Sequence, residues 1–141
     1  MNVYPSDDGR AALIRLERGS DVLRSLDEAA RELGIHAGTV QAIGAVSELV
    51  VGYYKQDEKR YVTIPFPEHL EIGSALGNIS LKDGKPFVHM HVTAARESGE
   101  TVGGHLMEGT RAFLIEAYFR ALGGPAPVRT QEDDLGLAVW Q

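Results

Sequence analysis

Three of the chain's five histidines, His89, His91 and His105, fall within 17 residues, in the segments P-F-V-H-M-H-V-T and V-G-G-H-L. Successive side chains of a strand point to opposite faces, so His89 and His91 share one face while Val88, Met90 and Val92 line the other. At a rise of ~3.3 Å per residue their Cα atoms stand about 6.5–7 Å apart. That spacing suits two ligands of one ion, with metal–nitrogen bonds of about 2.0–2.1 Å. An H-x-H pair by itself also occurs on ordinary solvated strand faces. His105 adds weight, because it follows Gly103-Gly104, where missing side chains let the backbone approach closely and aim the imidazole inward. Three neutral imidazoles favour zinc, with iron, nickel or copper as alternatives; carboxylate-rich sites would favour magnesium or calcium. Three protein ligands leave a coordination position open, the arrangement of catalytic rather than closed structural sites. Glu71 and Glu116 are the candidate fourth ligands, or the carboxylates that would orient a ligand's second nitrogen. His69 is a spare ligand, and His36 is expected on the surface.

The elements that must position these residues are mostly strands. Residues 10–17 alternate as a first strand. Residues 21–33 are a helix: Val22, Leu26, Ala29, Ala30 and Leu33 share one face at the 3.6-residue period. Ser20 or Asp21 caps its start, and Gly34 supplies its left-handed stop. Strand periodicity then covers 39–46, 48–55, 60–64, 69–81, 86–95 and 111–121. Gly73 and Gly77 predict a bend, a bulge or two short strands in 69–81. Lys82-Asp83-Gly84-Lys85 predicts a hairpin turn, residues 96–100 a second turn, and 123–127 (G-G-P-A-P) a break. The tail, 135–140, is expected as an edge strand. In 111–121, Glu116 is read with Leu114 and Tyr118 on one face, opposite Phe113, Ile115 and Phe119. Many strands with one early helix indicate an α+β, mostly antiparallel fold.

The 141 residues fit a single domain over 1–141, and 43% hydrophobic residues suffice for a core. With no cysteine, thiolate sites, disulfides and cysteine nucleophiles are excluded. No basic segment followed by an apolar run opens the chain, and no stretch approaches the ~18 apolar residues of a membrane span. The expectation is a cytoplasmic protein without a membrane partner. Net charge is −6, from 14 Lys and Arg against 20 Asp and Glu, and the basic residues are scattered. That balance argues against nucleic acid as the main partner. Phosphate loops, dinucleotide fingerprints and nucleophile elbows are absent. Ser74, Ser80, Thr93 and Ser98 lie near the histidines in sequence, but none stands beside a base as a nucleophile would.

Six segments together carry a family resemblance. They are D-V-L-R-S-L-x-E-x-A with G-I-x-A-G in 21–38, A-I-G-A-V-S in 42–47, V-G-Y-Y in 51–54, L-E-I-G-S-A-L-G-N-I-S in 70–80, D-G-K-P-F-V-H-M-H-V in 83–92 and G-G-H-L-x-E-G in 103–109. In this order, across about 10–140, the sequence resembles the stand-alone prokaryotic type of the PPC (plants and prokaryotes conserved) domain. The resemblance implies a mixed, largely antiparallel sheet flanked by helices, assembled as a homotrimer. It implies that His89, His91 and His105 hold a metal, usually zinc. Prokaryotic relatives are often labelled DNA-binding, and plant relatives follow AT-hooks, but no R-G-R-P core occurs in this chain. Three expectations follow: a trimeric metal-binding protein with a small-molecule or hydrolytic role at an open three-histidine site, a DNA-associated regulator, or an assembly module in which the metal is structural.

Overall fold

The computed structural model describes residues 1–141. Ten strands and one helix follow in the order β1 Asn2–Pro5, β2 Ala11–Leu16, α1 Val22–Glu32, β3 Gly38–Lys55, β4 Arg60–Phe66, β5 Leu70–Lys82, β6 Lys85–Ala95, β7 Thr101–Leu106, β8 Arg111–Ala121, β9 Val128–Glu132 and β10 Leu137–Trp140. The sheet runs β1-β2-β8-β3-β7-β6-β5-β9-β10, with β4 beside β3 and a further β3–β5 pairing. Only β5 and β9 pair parallel, so the sheet is mixed and largely antiparallel.

β3 organises this sheet. Its first half lies between β5 and β8, and its second half between β4 and β7. Because β5 also pairs with β6, and β6 with β7, the four strands β3, β5, β6 and β7 close a circuit of hydrogen bonding. Their inner faces meet in one core, which holds Val40, Ile79, Val88, Met90, Val92 and Leu106. The expected flanking helices are therefore reduced to one. A sheet that folds back on itself buries most of its own apolar face and needs a helix only at the remaining opening.

That helix starts at Asp21, whose side chain caps it by accepting from the Arg24 N–H, and the chain leaves it at Gly34 with φ of +65°. Val22, Leu26, Ala29 and Ala30 are buried, and Leu26 alone contributes about 1.5–3 kcal/mol by leaving water. The Asp27 carboxylate accepts from the Val88 N–H at 2.8 Å, which pins α1 to β6. The hairpin at 82–85 turns through Asp83 and Gly84, both at positive φ.

Two expectations about β8 and β3 need correction. The strands expected at 39–46 and 48–55 are one continuous β3. The β3–β8 register also slips, so Ala45 faces Leu114 while Val46 faces Ala112. Phe113 is the unmatched residue of a bulge, which turns both Phe113 and Leu114 outward. Ile115, Ala117 and Phe119 stay on the buried face.

Candidate metal centre

β6 delivers the first two histidines by simple alternation. Val88, Met90 and Val92 point into the core, while His89 and His91 point away from it. β7 brings the third. After the turn at 96–100 the chain runs back antiparallel to β6 and sets His105 directly opposite His91. The turn is held by the Arg96 N–H donating to the Glu100 carbonyl at 2.8 Å, and by Arg96 pairing with Glu68 and Glu100. Gly103 makes this approach possible, because a Cβ there would collide with the Val92 carbonyl oxygen.

The three imidazoles form a nearly equilateral group, with ring centroids 5.3 Å apart for His89–His91, 4.9 Å for His89–His105 and 5.4 Å for His91–His105. One nitrogen from each lies within 4.8 Å of the others. Tetrahedral bonds of about 2.0–2.1 Å require nitrogens about 3.4 Å apart, a closure within reach of small side-chain rotations. His105 Nδ1 is buried and has no hydrogen-bond partner. A buried nitrogen left unpaired is costly in a protein interior, and coordination would satisfy it. Burial is the leading cause that pushes His89 and His105 down to about 4. The Arg129 charge acts next on His89, and the His89 and His91 charges act next on His105. Both rings are therefore neutral at physiological pH, as metal ligation requires.

A second ring of residues encloses this cluster. Tyr61 of β4 lies against His105 with centroids 5.0 Å apart, and Tyr54 lies against Tyr61 at the same distance. Arg129 of β9 reaches across β5. Its Nε donates to Ser80 Oγ at 2.9 Å, its Nη2 to Asn78 Oδ1 at 3.0 Å, and its Nη1 to the Ala138 carbonyl at 3.1 Å. Nη2 also stands 3.4 Å from His89 Nδ1. Ser80 is thus a buried hydrogen-bond acceptor for Arg129.

The two carboxylates expected near the histidines are elsewhere. Glu71 lines a separate groove of about 400 Å³ with His69, Arg96 and Phe113. Glu116 is exposed on β8, paired across the sheet with Arg15 and Ile43. Neither joins the cluster of candidate ligands. Glu71 sits near the start of β5, beside Ala95 at the end of β6, whereas His89 and His91 face Asn78 and Leu76 further along β5. His36 is exposed.

Residues 5–122 match the Plants and Prokaryotes Conserved (PCC) domain, also abbreviated PPC. The chain belongs to this family. A metal-containing protein from Archaeoglobus fulgidus is 42% identical, with a TM-score of 0.89 over 100% of this chain and 99% of its own. A plant- and prokaryote-conserved protein from Pyrococcus horikoshii is 35% identical, with a TM-score of 0.89 over 94% of this chain and 91% of its own. A Bacteroides thetaiotaomicron protein, supposed by name to bind DNA, is 25% identical with a TM-score of 0.89 over 99% and 96%. The chain is also 34% identical over 110 residues to the bifunctional protein GlmU of a Synechococcus species, covering 77% of this chain. It spans only 15% of the length of that relative.

Within this PCC-domain chain, sequence reasoning missed Arg129, Tyr61 and Asn78. Arg129 lies in V-R-T-Q-E, which has no apolar alternation to mark a strand. Asn78 carried a signal that went unused. It lies near the end of the β5 segment facing β6, opposite His89, and the hairpin at 82–85 sets that register.

Proposed function

We propose that this chain is a metal-binding PCC-domain protein that holds one divalent transition ion, zinc first among them, on His89, His91 and His105. The observation that carries the reading is the convergence of three imidazole nitrogens within 4.8 Å, one of them from His105, whose buried Nδ1 has no hydrogen-bond partner. The metal-containing Archaeoglobus protein, similar over its whole length, supports it. When bound, the ion would supply a Lewis acid at an open coordination position. The chain's own residues orient the ligands: Tyr61 packs on the His105 ring, and the Arg129 network fixes the wall beside His89. The reading extends to a single domain over 1–141 that works as a homotrimer. No helix is long and apolar enough to cross a membrane.

Metal analysis of protein purified without chelator tests this. About one zinc per chain is expected for a three-histidine site. His89→Ala and His105→Ala should lose the ion, and His36→Ala should keep it. Wild-type protein that carries no transition metal after such a purification, and takes up none on addition, would remove the reading. DNA binding draws no support from charge, since three chains of −6 would carry about −18 and repel a polyanion. An anisotropy titration without binding at low salt is the expected result.

A further inference from the structure

The wall beside the histidines carries positive charge that aromatic rings flank but no carboxylate pairs with: Arg129 lies 5.4 Å from the ring centroids of both Phe87 and Trp140. Arg129 is partly buried, and each of its close hydrogen-bond acceptors (Ser80, Asn78 and the Ala138 carbonyl) is neutral. Lys82 stands on the same pocket with Nζ 5.2 Å from the centroid of the Phe87 ring. Neither cation forms an ion pair. Arg24, Arg31, Lys55, Arg60, Arg96 and Arg111 all reach carboxylates. Eight of the fourteen Lys and Arg lack an ion pair, but Lys82 and Arg129 line the same pocket, and no carboxylate lines it with them. The pocket holds about 310 Å³ and is bounded by Tyr61, Phe87, His89 and His105, with the β10 segment Leu137–Val139 closing one side. Its volume is at the lower end of the range for small-molecule sites, which typically pair apolar walls with a few convergent polar groups. A partly desolvated cation with only neutral partners gains most from an anion.

We propose that this pocket binds a small organic anion, a carboxylate or a phosphate ester, with its charged group toward Lys82 and Arg129 and its apolar body against Phe87. The proposal rests on the metal-site reading, because such a ligand would lie between these cations and the open coordination position.

Isothermal titration of the zinc-loaded protein tests it, in a buffer free of carboxylate and phosphate, with benzoate, phenyl phosphate and neutral benzamide as probes. Benzoate or phenyl phosphate should bind at least tenfold more tightly than benzamide, and the better of the two identifies the head group. Lys82→Met keeps most of the side chain's length and removes its charge, and should weaken the anion about tenfold or more. Lys82→Arg should restore it. Lys85→Met, which changes the net charge equally at an exposed turn position, should leave it unchanged. Equal binding of benzamide and the anions, equal losses in the two methionine variants, or no binding of any probe would overturn the proposal. Zinc content read on the same samples separates the two claims. Wild-type protein that holds no zinc defeats the metal reading and this placement with it, whereas full zinc without anion preference defeats the anion pocket alone.

Discussion

His89 and His105 titrate near 6.5 in an unfolded chain, but burial holds both at about 4 in the folded one. Between those values the unfolded state binds more protons. The stability these rings contribute to the metal-free protein is therefore present above about 6.5 and is lost as pH falls toward 4. Asp27 acts in the opposite sense. Burial raises its carboxyl to about 6, against the Val88 N–H, which lowers it. Here the folded state binds more protons between about 4 and 6, so stability declines as pH rises through that window. Asp27→Asn keeps an acceptor for the Val88 N–H and removes the buried charge. We expect this variant to gain about 1 kcal/mol at pH 7, after allowance for partial exposure, or roughly 3 °C in Tm. Its metal-free form should also gain stability with pH more steeply than wild type between 4 and 6.5. Thermal unfolding of chelator-treated protein at pH 4, 5, 6 and 7 measures this, and parallel profiles for the two proteins would refute it. The histidine trio was legible in the sequence because two members share a strand face and the third follows two glycines. Arg129 was not, because what places it is a two-residue parallel pairing of β9 with β5, a contact that leaves no local pattern.

β5, β6 and β7 form the unit that aligns the site, and backbone proximity sets its tolerance. A Cβ at Gly77 would collide with the His89 carbonyl oxygen, and one at Gly103 with that of Val92. Gly73 occupies the bulge between Ile72 and Ser74, has open space around it and does not need a positive φ. Gly103→Ala and Gly77→Ala should therefore cost about 1–3 kcal/mol, as overpacking against a rigid backbone does, and lower zinc affinity by moving β6 relative to β7 and to β5 respectively. Gly73→Ala should stay within about 0.5 kcal/mol of wild type. Denaturant titration with metal analysis distinguishes the three, and equal stability of Gly103→Ala and Gly73→Ala would contradict the account. Elements with clear periodicity were legible here: α1, β6 and β8 lie within about two residues of their expected bounds. β3 was read as two strands because its pattern changes at Ser47, where the strand exchanges its neighbours. The direction of Phe113 was misread for a related reason. A bulge arises from the register of two strands, and strict alternation along one of them cannot reveal it.

Across the whole molecule, one face of the sheet presents apolar groups to solvent. Leu13 lies beside Tyr118, Tyr118 beside Gln41, Gln41 beside Leu76, Leu76 beside His91 and His91 beside His105. Cross-strand partners point to the same side, so this row runs unbroken from β2, next to the edge strand β1, into the candidate metal centre. Leu13, Ile43 and Leu76 are each more than half exposed, and Leu114 and Tyr118 extend the patch. An apolar surface of this kind is what a subunit interface covers, and it is where we place the contacts of the proposed homotrimer. β8, Arg111–Ala121, carries large apolar groups on both faces, and the two faces have different roles. Phe119 is fully buried within its own chain, so Phe119→Asp should prevent folding and yield insoluble protein, whatever the assembly state. Leu76→Asp and Tyr118→Asp change only the exposed row. They should give folded, soluble monomers by light scattering, with the circular dichroism of wild type. Because His89, His91 and His105 all come from one chain, the Tyr118→Asp monomer should still bind zinc, at an affinity within about tenfold of wild type. Trimers from both exposed-row variants would move the interface elsewhere. A folded monomer without zinc would mean that a neighbouring subunit completes the metal centre.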